Sequence, residues 1–137
     1  MTEEAIPGWD LEKERLVARK EMKDQIVLKV EDLQWDDHPI NDLIKLCFLL
    51  TKKRHGVEGT VMIARVPKGD GLAEHNHEEA HDLIIPISGK AKFWINGLGE
   101  FDMEKGVVFS IPPGVSHRLF DVTEDIEIID VYIPPIL

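Results

Sequence analysis

The chain has 137 residues, 43% of them hydrophobic, which suits one domain with a well-filled core. Its formal net charge of −10 argues against nucleic acid and anionic membrane surfaces as partners, because both would repel it. No apolar run approaches the roughly 20 residues of a membrane span, and the N-terminus lacks a secretory pattern. The lone cysteine, Cys47, has apolar neighbours and excludes an intramolecular disulfide. We therefore expect a cytoplasmic protein.

Residues 1–24 are the most charged part of the chain and differ in character from the rest. Asp10 is a candidate N-cap, good helix formers follow it, and the apolar stripe is thin. We predict a short helical extension here, which either packs on the main body or a second subunit or lies in solvent. Residues 25–137 are predicted to form a single domain.

After this extension, short apolar segments alternate with turn signals, of which Asn96-Gly97 is the strongest hairpin signal. Strand follows strand without an intervening helix, which favours antiparallel pairing and an all-β sandwich or barrel. The segment 44–51 also has helical periodicity, but nearly all of it is apolar, so we prefer a strand. The predicted strands are residues 26–30, 44–51, 59–66, 82–88, 90–95, 106–111, 116–122 and 126–133.

The stretch HNHEEAHD, which begins at His75, is the richest in chemistry. On a strand, His75 and His77 point to the same face, so both imidazoles could bind one ion. A third ligand would come from His81 or Asp82, of which only one points inward, and His117 is a candidate fourth. Imidazole suits zinc, copper, iron and nickel, whereas a carboxylate favours manganese or iron. The histidine spacing alone is weak evidence, since solvated histidines are common.

Glycines and prolines around these histidines resemble the two motifs of the cupin superfamily. The first motif, G-x5-H-x-H-x3,4-E-x6-G, is matched by Gly69, His75, His77, Asp82 and Gly89. The second, G-x5-P-x-G-x2-H-x3-N, is matched by Gly106, Pro112, Gly114, His117 and Asp121. In each motif an Asp replaces one residue, Glu in the first and Asn in the second. The resemblance implies an antiparallel jelly-roll (double-stranded β-helix) barrel with a metal near one mouth.

The resemblance also implies a ligand set. Asp82 is one methylene shorter than the glutamate of the common motif, whereas a subset of small cupins has a histidine directly before the acid. His81 has that position, which favours a four-histidine site of His75, His77, His81 and His117. Asp82 then orients an imidazole, or it replaces His81 as the third ligand. We expect one divalent transition metal ion, iron or manganese in preference to zinc or nickel.

Cupins include enzymes of several classes and binding proteins, so the resemblance names no reaction. Our first hypothesis is a metal-dependent enzyme that acts on a small oxygen-bearing molecule by dioxygenase- or isomerase-type chemistry. The alternative is a non-catalytic cupin that binds or senses a small molecule, and a third reading is a structural barrel. The resemblance further implies a homodimer, with residues 25–51 as the segment that the subunits exchange.

Other candidate pocket residues lie outside the ligand set. Phe93, Phe120 and Tyr132 are predicted to belong to the core rather than to contact a substrate. Arg118 neighbours His117, so alternation points it to the opposite face. The two histidines outside both motifs, His38 and His55, are interpreted as surface residues.

Overall fold

The computed structural model describes residues 26–137, and the barrel is the compact unit Trp35–Leu137. A 3-10 turn, Val30–Asp32, precedes it in the chain, and one short helix, α1 (Lys52–His55), follows the second strand. The predicted N-terminal helix lies outside the described residues, and the predicted domain boundary after residue 24 stays a prediction. The strands are β1 (Asp36–Asp37), β2 (Lys45–Leu50), β3 (Thr60–Val66), β4 (Leu72–His75), β5 (His81–Ile95), β6 (Gly99–Glu104), β7 (Phe109–Ile111) and β8 (His117–Ile133).

Every strand pair in the described chain is antiparallel, so the prediction of an all-β jelly-roll barrel is confirmed. The strand order is β1-β2-β3-β8-β5-β6, while β4 pairs with β8 and β7 pairs with β5. The second half of β8 pairs with β3 and with the first half of β5. Its first half pairs with β4 and with the second half of β5. These two long strands therefore connect both layers of the barrel.

The ladder between the two long strands is irregular where the sequence pattern predicted breaks, with register shifts between Pro86 and Lys92. Residues 82–88 and 90–95 form one strand, β5, and residues 116–122 and 126–133 form another, β8. Gly89 has a φ of +88°, and a Cβ there would lie 2.1 Å from the carbonyl oxygen of Asp125. Only glycine permits this close crossing of the two backbones. The irregular positions thus shift the register of the ladder without ending either strand.

The predicted strand at residues 26–30 is wrong. The side chains of Ile26 and Val27 are 67% and 59% exposed, and no ladder among the described residues includes this segment. An apolar run becomes a strand only where a partner strand satisfies its backbone groups. The strand preferred for residues 44–51 is confirmed as β2, which ends where Thr51 caps α1 by accepting the backbone N–H of Arg54 at 3.0 Å.

Alternate residues of the strands face inward and form the hydrophobic core. Each fully buried large apolar side chain contributes roughly 1.5 to 3 kcal/mol to folding. Several of these side chains also line a cavity of about 380 Å³ inside the barrel. Cys47 is buried, as expected. In residues 26–137 no helix combines the length and the hydrophobicity that a membrane span requires.

Candidate metal centre

Three histidines meet at one end of the cavity. His75 ends β4 and His117 begins β8, and the register of these strands places them opposite each other, with ring centroids 4.4 Å apart. His77 lies beyond the end of β4, where its carbonyl accepts the backbone N–H of Gly114 at 2.9 Å. This bond attaches the histidine loop to the Pro-Pro-Gly turn. One ligand atom from each histidine lies within 4.8 Å of the other two.

Backbone carbonyls determine which nitrogen of two imidazoles faces the cluster. The Nδ1 of His75 lies 2.8 Å from the carbonyl oxygen of Ala73, and the Nδ1 of His117 lies 3.0 Å from that of Val115. A carbonyl oxygen only accepts hydrogen bonds, so each Nδ1 must carry a proton. In the neutral ring Nε2 then keeps its lone pair, which is the arrangement of a histidine that binds a metal through Nε2.

Asp82, and not His81, accompanies the three histidines. Asp82 is 2% exposed, and its Oδ2 lies 3.4 Å from His117 Nε2 and 3.6 Å from His77 Nε2. His81 is exposed on the other face of β5, where its Nε2 lies 2.8 Å from the hydroxyl of Ser110. Alternation along β5 separates the two side chains because Asp82 pairs with the buried Tyr132. The four-histidine subtype is therefore not confirmed.

Burial keeps the three imidazoles neutral at physiological pH. It lowers the pKa of His75 and of His117, and it lowers the pKa of His77 to about 4, with help from the two neighbouring histidines. A protonated imidazole has no lone pair to offer a cation. At pH 7 the cluster therefore contains three neutral imidazoles, each of which can offer a lone pair to a metal ion.

The polar atoms at the centre of the cluster lack partners. Within the described residues, no hydrogen bond reaches the buried His77 Nε2, His117 Nε2 or Asp82 Oδ1. A buried polar atom without a partner costs roughly 1 to 3 kcal/mol. Two imidazole lone pairs and a carboxylate are all acceptors, so a cation between them would satisfy the whole group. The residues present thus fit a divalent metal ion.

Two further polar residues of β8 lie behind Asp82. The Tyr132 hydroxyl donates to Asp130 Oδ2 at 3.0 Å, and the Tyr132 ring packs 4.8 Å from that of His77. Burial and the neighbouring carboxylate of Asp82 raise the pKa of Asp130 well above its usual range. Sequence reasoning missed Asp130, although an acid at an inward position of the apolar run IEIIDVYI signals a buried polar group.

The structure divides the predicted aromatic residues between the two faces of the barrel wall. Phe93 and Tyr132 are buried core members, as predicted, and both also line the cavity. Phe120 is half-buried and does not belong to the core, so its prediction as a core residue is wrong. Its ring instead lies 4.4 Å from the guanidinium of Arg118. Arg118 is exposed, which agrees with the expectation that it points away from the pocket.

The two histidines outside the motifs have different positions. His55 is exposed, as predicted, and its Nδ1 accepts the backbone N–H of Thr51 at 3.0 Å. His38 is half-buried and lines the cavity, so its interpretation as a plain surface residue is wrong. No sequence motif includes His38, and only the folding of its loop against the barrel places it there.

The antiparallel jelly-roll barrel and the histidine cluster at one end of its cavity are the two features that the cupin resemblance implied. Residues 62–132 match the sequence model of the family described as the cupin domain. This match spans more than half of the chain, which therefore belongs to the cupin family. None of the curated proteins matches the sequence.

Solved structures share the fold at low sequence identity. A predicted oxalate decarboxylase from Thermotoga maritima is 19% identical, with a TM-score of 0.70 over 79% of this chain and 98% of that one. Ectoine synthase from P. lautus is 15% identical, with a TM-score of 0.70 over 80% and 78%. KdgF from Halomonas sp. is 16% identical, with a TM-score of 0.67 over 77% and 92%. At these identities the likeness establishes the fold alone.

Proposed function

We propose that this cupin is a metal-dependent enzyme that acts on a small oxygen-bearing molecule by dioxygenase- or isomerase-type chemistry. The observation that carries the proposal is the set of three neutral imidazoles within 4.8 Å of one another, beside a buried carboxylate and an apolar cavity. Two of the similar structures, ectoine synthase and the predicted oxalate decarboxylase, bear enzyme names, which makes catalysis a reasonable expectation.

We assign His75, His77, His117 and Asp82 as the ligands of one divalent ion. Three imidazoles and one carboxylate suit iron or manganese, with zinc or nickel as alternatives. An ion held by these four residues would supply Lewis-acid chemistry, because it would polarise the oxygen atoms of a substrate bound beside it. The chain itself orients His75 and His117 through backbone carbonyls and surrounds the substrate with an apolar wall that excludes water.

The first test is elemental analysis of untagged protein that is purified without added metal. We expect about one metal ion per chain, and we expect His75→Ala and His117→Ala each to lose it because three ligands bind weakly. The matched control is His81→Ala, which removes an exposed imidazole that lies next to Asp82 and four residues after His77 in the sequence. This variant should keep a full metal content. Full occupancy in His117→Ala, or loss in His81→Ala, would contradict the assigned ligand set.

The same cavity also supports the alternative of a non-catalytic binding protein, since about 380 Å³ is enough for a small organic ligand. The two functions differ in turnover. An enzyme consumes its ligand or dioxygen over many cycles, whereas a binding protein retains the ligand unchanged. Oxygen uptake and product analysis with the metal-loaded protein distinguish them. Homodimeric assembly and a cytoplasmic location stay predictions.

A further inference from the structure

The cavity opens to solvent beside the loop that contains His38. Two residues that line it, Ile40 and Ile136, are 71% and 45% exposed and therefore mark its mouth. His38 lines the cavity at the same place and is half-buried. It lies near enough to His75 for a charge on one ring to lower the pKa of the other. A molecule that enters the cavity toward the histidine cluster would pass His38.

The tautomer of His38 leaves its Nε2 as a hydrogen-bond donor on a residue that lines the cavity. The backbone N–H of Ile40 donates to His38 Nδ1 at 3.0 Å, so this nitrogen carries the lone pair. Burial and the nearby His75 lower the pKa of His38, which keeps the ring neutral at pH 7. The single ring proton therefore sits on Nε2. Within residues 26–137 the bond from Ile40 is the one hydrogen bond of this side chain.

The rest of the lining restricts the charge of an occupant. Among the described residues no lysine or arginine lines the cavity, whereas two carboxyls, Asp82 and Asp130, do. The walls are apolar, with Leu46, Phe48 and Met62 among the side chains that form them. An anionic group in the body of a ligand would lose its hydration without gaining an ion pair. The two carboxyls are already engaged, Asp82 as a proposed metal ligand and Asp130 as the acceptor of the Tyr132 hydroxyl, so they do not favour a cationic group either. An uncharged apolar body loses nothing on entry.

We propose that the cavity takes a molecule with an uncharged apolar body and two adjacent oxygen atoms, and that His38 Nε2 donates a hydrogen bond to one of those oxygens. This inference rests on the proposed function, because the two oxygens would bind the ion held by the histidine cluster. His38 is then a specificity residue that neither cupin motif contains.

The test of ligand class uses three small molecules that share a metal-chelating hydroxamate group and differ in the group attached to it. Benzohydroxamate has an apolar ring, acetohydroxamate has a methyl group, and the monohydroxamate of succinate has a carboxylate. Calorimetric titration of the metal-loaded protein at pH 7 gives each Kd. We expect benzohydroxamate to bind at least about tenfold more tightly than acetohydroxamate, since the ring buries apolar area. The succinate derivative should bind most weakly of the three.

The test of His38 compares two replacements, one without and one with a side-chain N–H. His38→Phe keeps the ring shape and removes the N–H, so the affinity for benzohydroxamate should fall about tenfold while metal content stays unchanged. His38→Gln, which keeps a side-chain N–H, should recover part of the affinity. The matched control is His55→Phe, because the Nδ1 of His55 likewise accepts a backbone N–H but the residue lies away from the cavity lining.

The outcomes separate this inference from the proposed function. A protein that binds no metal at its histidine cluster overturns both. A metal-loaded protein that prefers the carboxylate-bearing probe overturns the ligand class alone. An equal Kd for benzohydroxamate in the wild type and in His38→Phe overturns the role of His38, while the metal site stands.

Discussion

Asp82 lies directly against two of the three imidazoles, with Oδ2 3.4 Å from His117 Nε2 and 3.6 Å from His77 Nε2. Removal of a residue that only hydrogen-bonds to a metal ligand weakens metal affinity roughly 10- to 100-fold. We predict a larger loss for Asp82→Asn, because this change removes a charged ligand. Competition with a chelator of known affinity measures this loss. Glu79→Gln, which removes a charge from an exposed residue of the same loop, serves as the control. Equal affinities for the wild type and Asp82→Asn would exclude Asp82 as a ligand.

His77 makes the stability of the metal-free protein depend on pH. In the unfolded chain its imidazole takes up a proton near pH 6.5, whereas in the folded chain it stays neutral until about pH 4. Between these values the unfolded state binds more protons, so the contribution of His77 to stability is present above pH 6.5 and is lost as the pH falls toward 4. The loss is at most about 1.4 kcal/mol per pH unit.

Urea denaturation of the metal-free wild type and of His77→Gln, at pH 7, 6 and 5, tests this dependence. Buried acids of the site titrate with the opposite sign, so the informative quantity is the difference between the two proteins rather than either curve alone. That difference should shrink as the pH falls, because the wild type loses its advantage. A difference independent of pH would show that the folded imidazole titrates like an unfolded one.

The choice between His81 and Asp82 shows where sequence reasoning about the site ends. Because side chains alternate along a strand, only one of two adjacent residues faces inward, but alternation alone does not indicate which one. The pairing with β8 determines that Asp82 is the inward residue, because its partner there is the buried Tyr132. His75, His77 and His117 were predictable because their motifs fix their spacing, whereas His38 and Asp130 belong to no motif.

At the scale of the strands, Gly89 is the position that the barrel tolerates least. Its positive φ and the 2.1 Å approach to Asp125 predict that Gly89→Ala destabilises the protein by more than about 3 kcal/mol, since the two long strands must separate. The control is Gly97→Ala, which has a φ of +85° but nothing within 4 Å of an added Cβ. It should cost only the strain of the left-handed backbone, about 1 to 2 kcal/mol. Similar losses of the free energy of unfolding in both variants would contradict the steric argument.

The strands themselves were largely predictable, because hydrophobic alternation and turn residues identify them one at a time. The sequence did not predict that two pairs of these strands are continuous, as β5 and β8. Gly89 interrupts the pattern of β5, and Thr123-Glu124-Asp125 interrupts that of β8, although each strand continues past the interruption. A break in a pattern indicates a local irregularity, and only the neighbouring backbone determines whether the chain turns there or bends. The segment 26–30 shows the converse, since an apolar pattern without a partner strand forms no ladder.

For the whole molecule, the most informative surface is the outer face of the sheet that β2, β3, β8 and β5 form. One cross-strand row on this face contains the half-buried Ile129 and Ile85, beside Cys47 and Ile63, which are only 1% and 5% exposed. A second row consists of the half-buried Val61, Val131 and Leu83. These residues alternate with the inward side chains that line the cavity. Neighbouring half-buried apolar side chains on the outer face of a sheet, in a protein with a net charge of −10, are typical of an interaction site.

We propose that a second copy of the chain covers this face, in keeping with the homodimer expected from the sequence. Val131→Glu places a charge in the second row and should convert the dimer to a monomer in sedimentation velocity, whereas Leu98→Glu, at the exposed tip of a hairpin, should not. Because each copy carries a charge of −10, salt should strengthen the association by screening their repulsion, as the Debye length shortens to about 10 Å at 0.1 M. A protein that sediments as a monomer at every concentration and salt level would refute the dimer. Dissociation at high salt would instead point to an interface held by ion pairs rather than by the apolar rows.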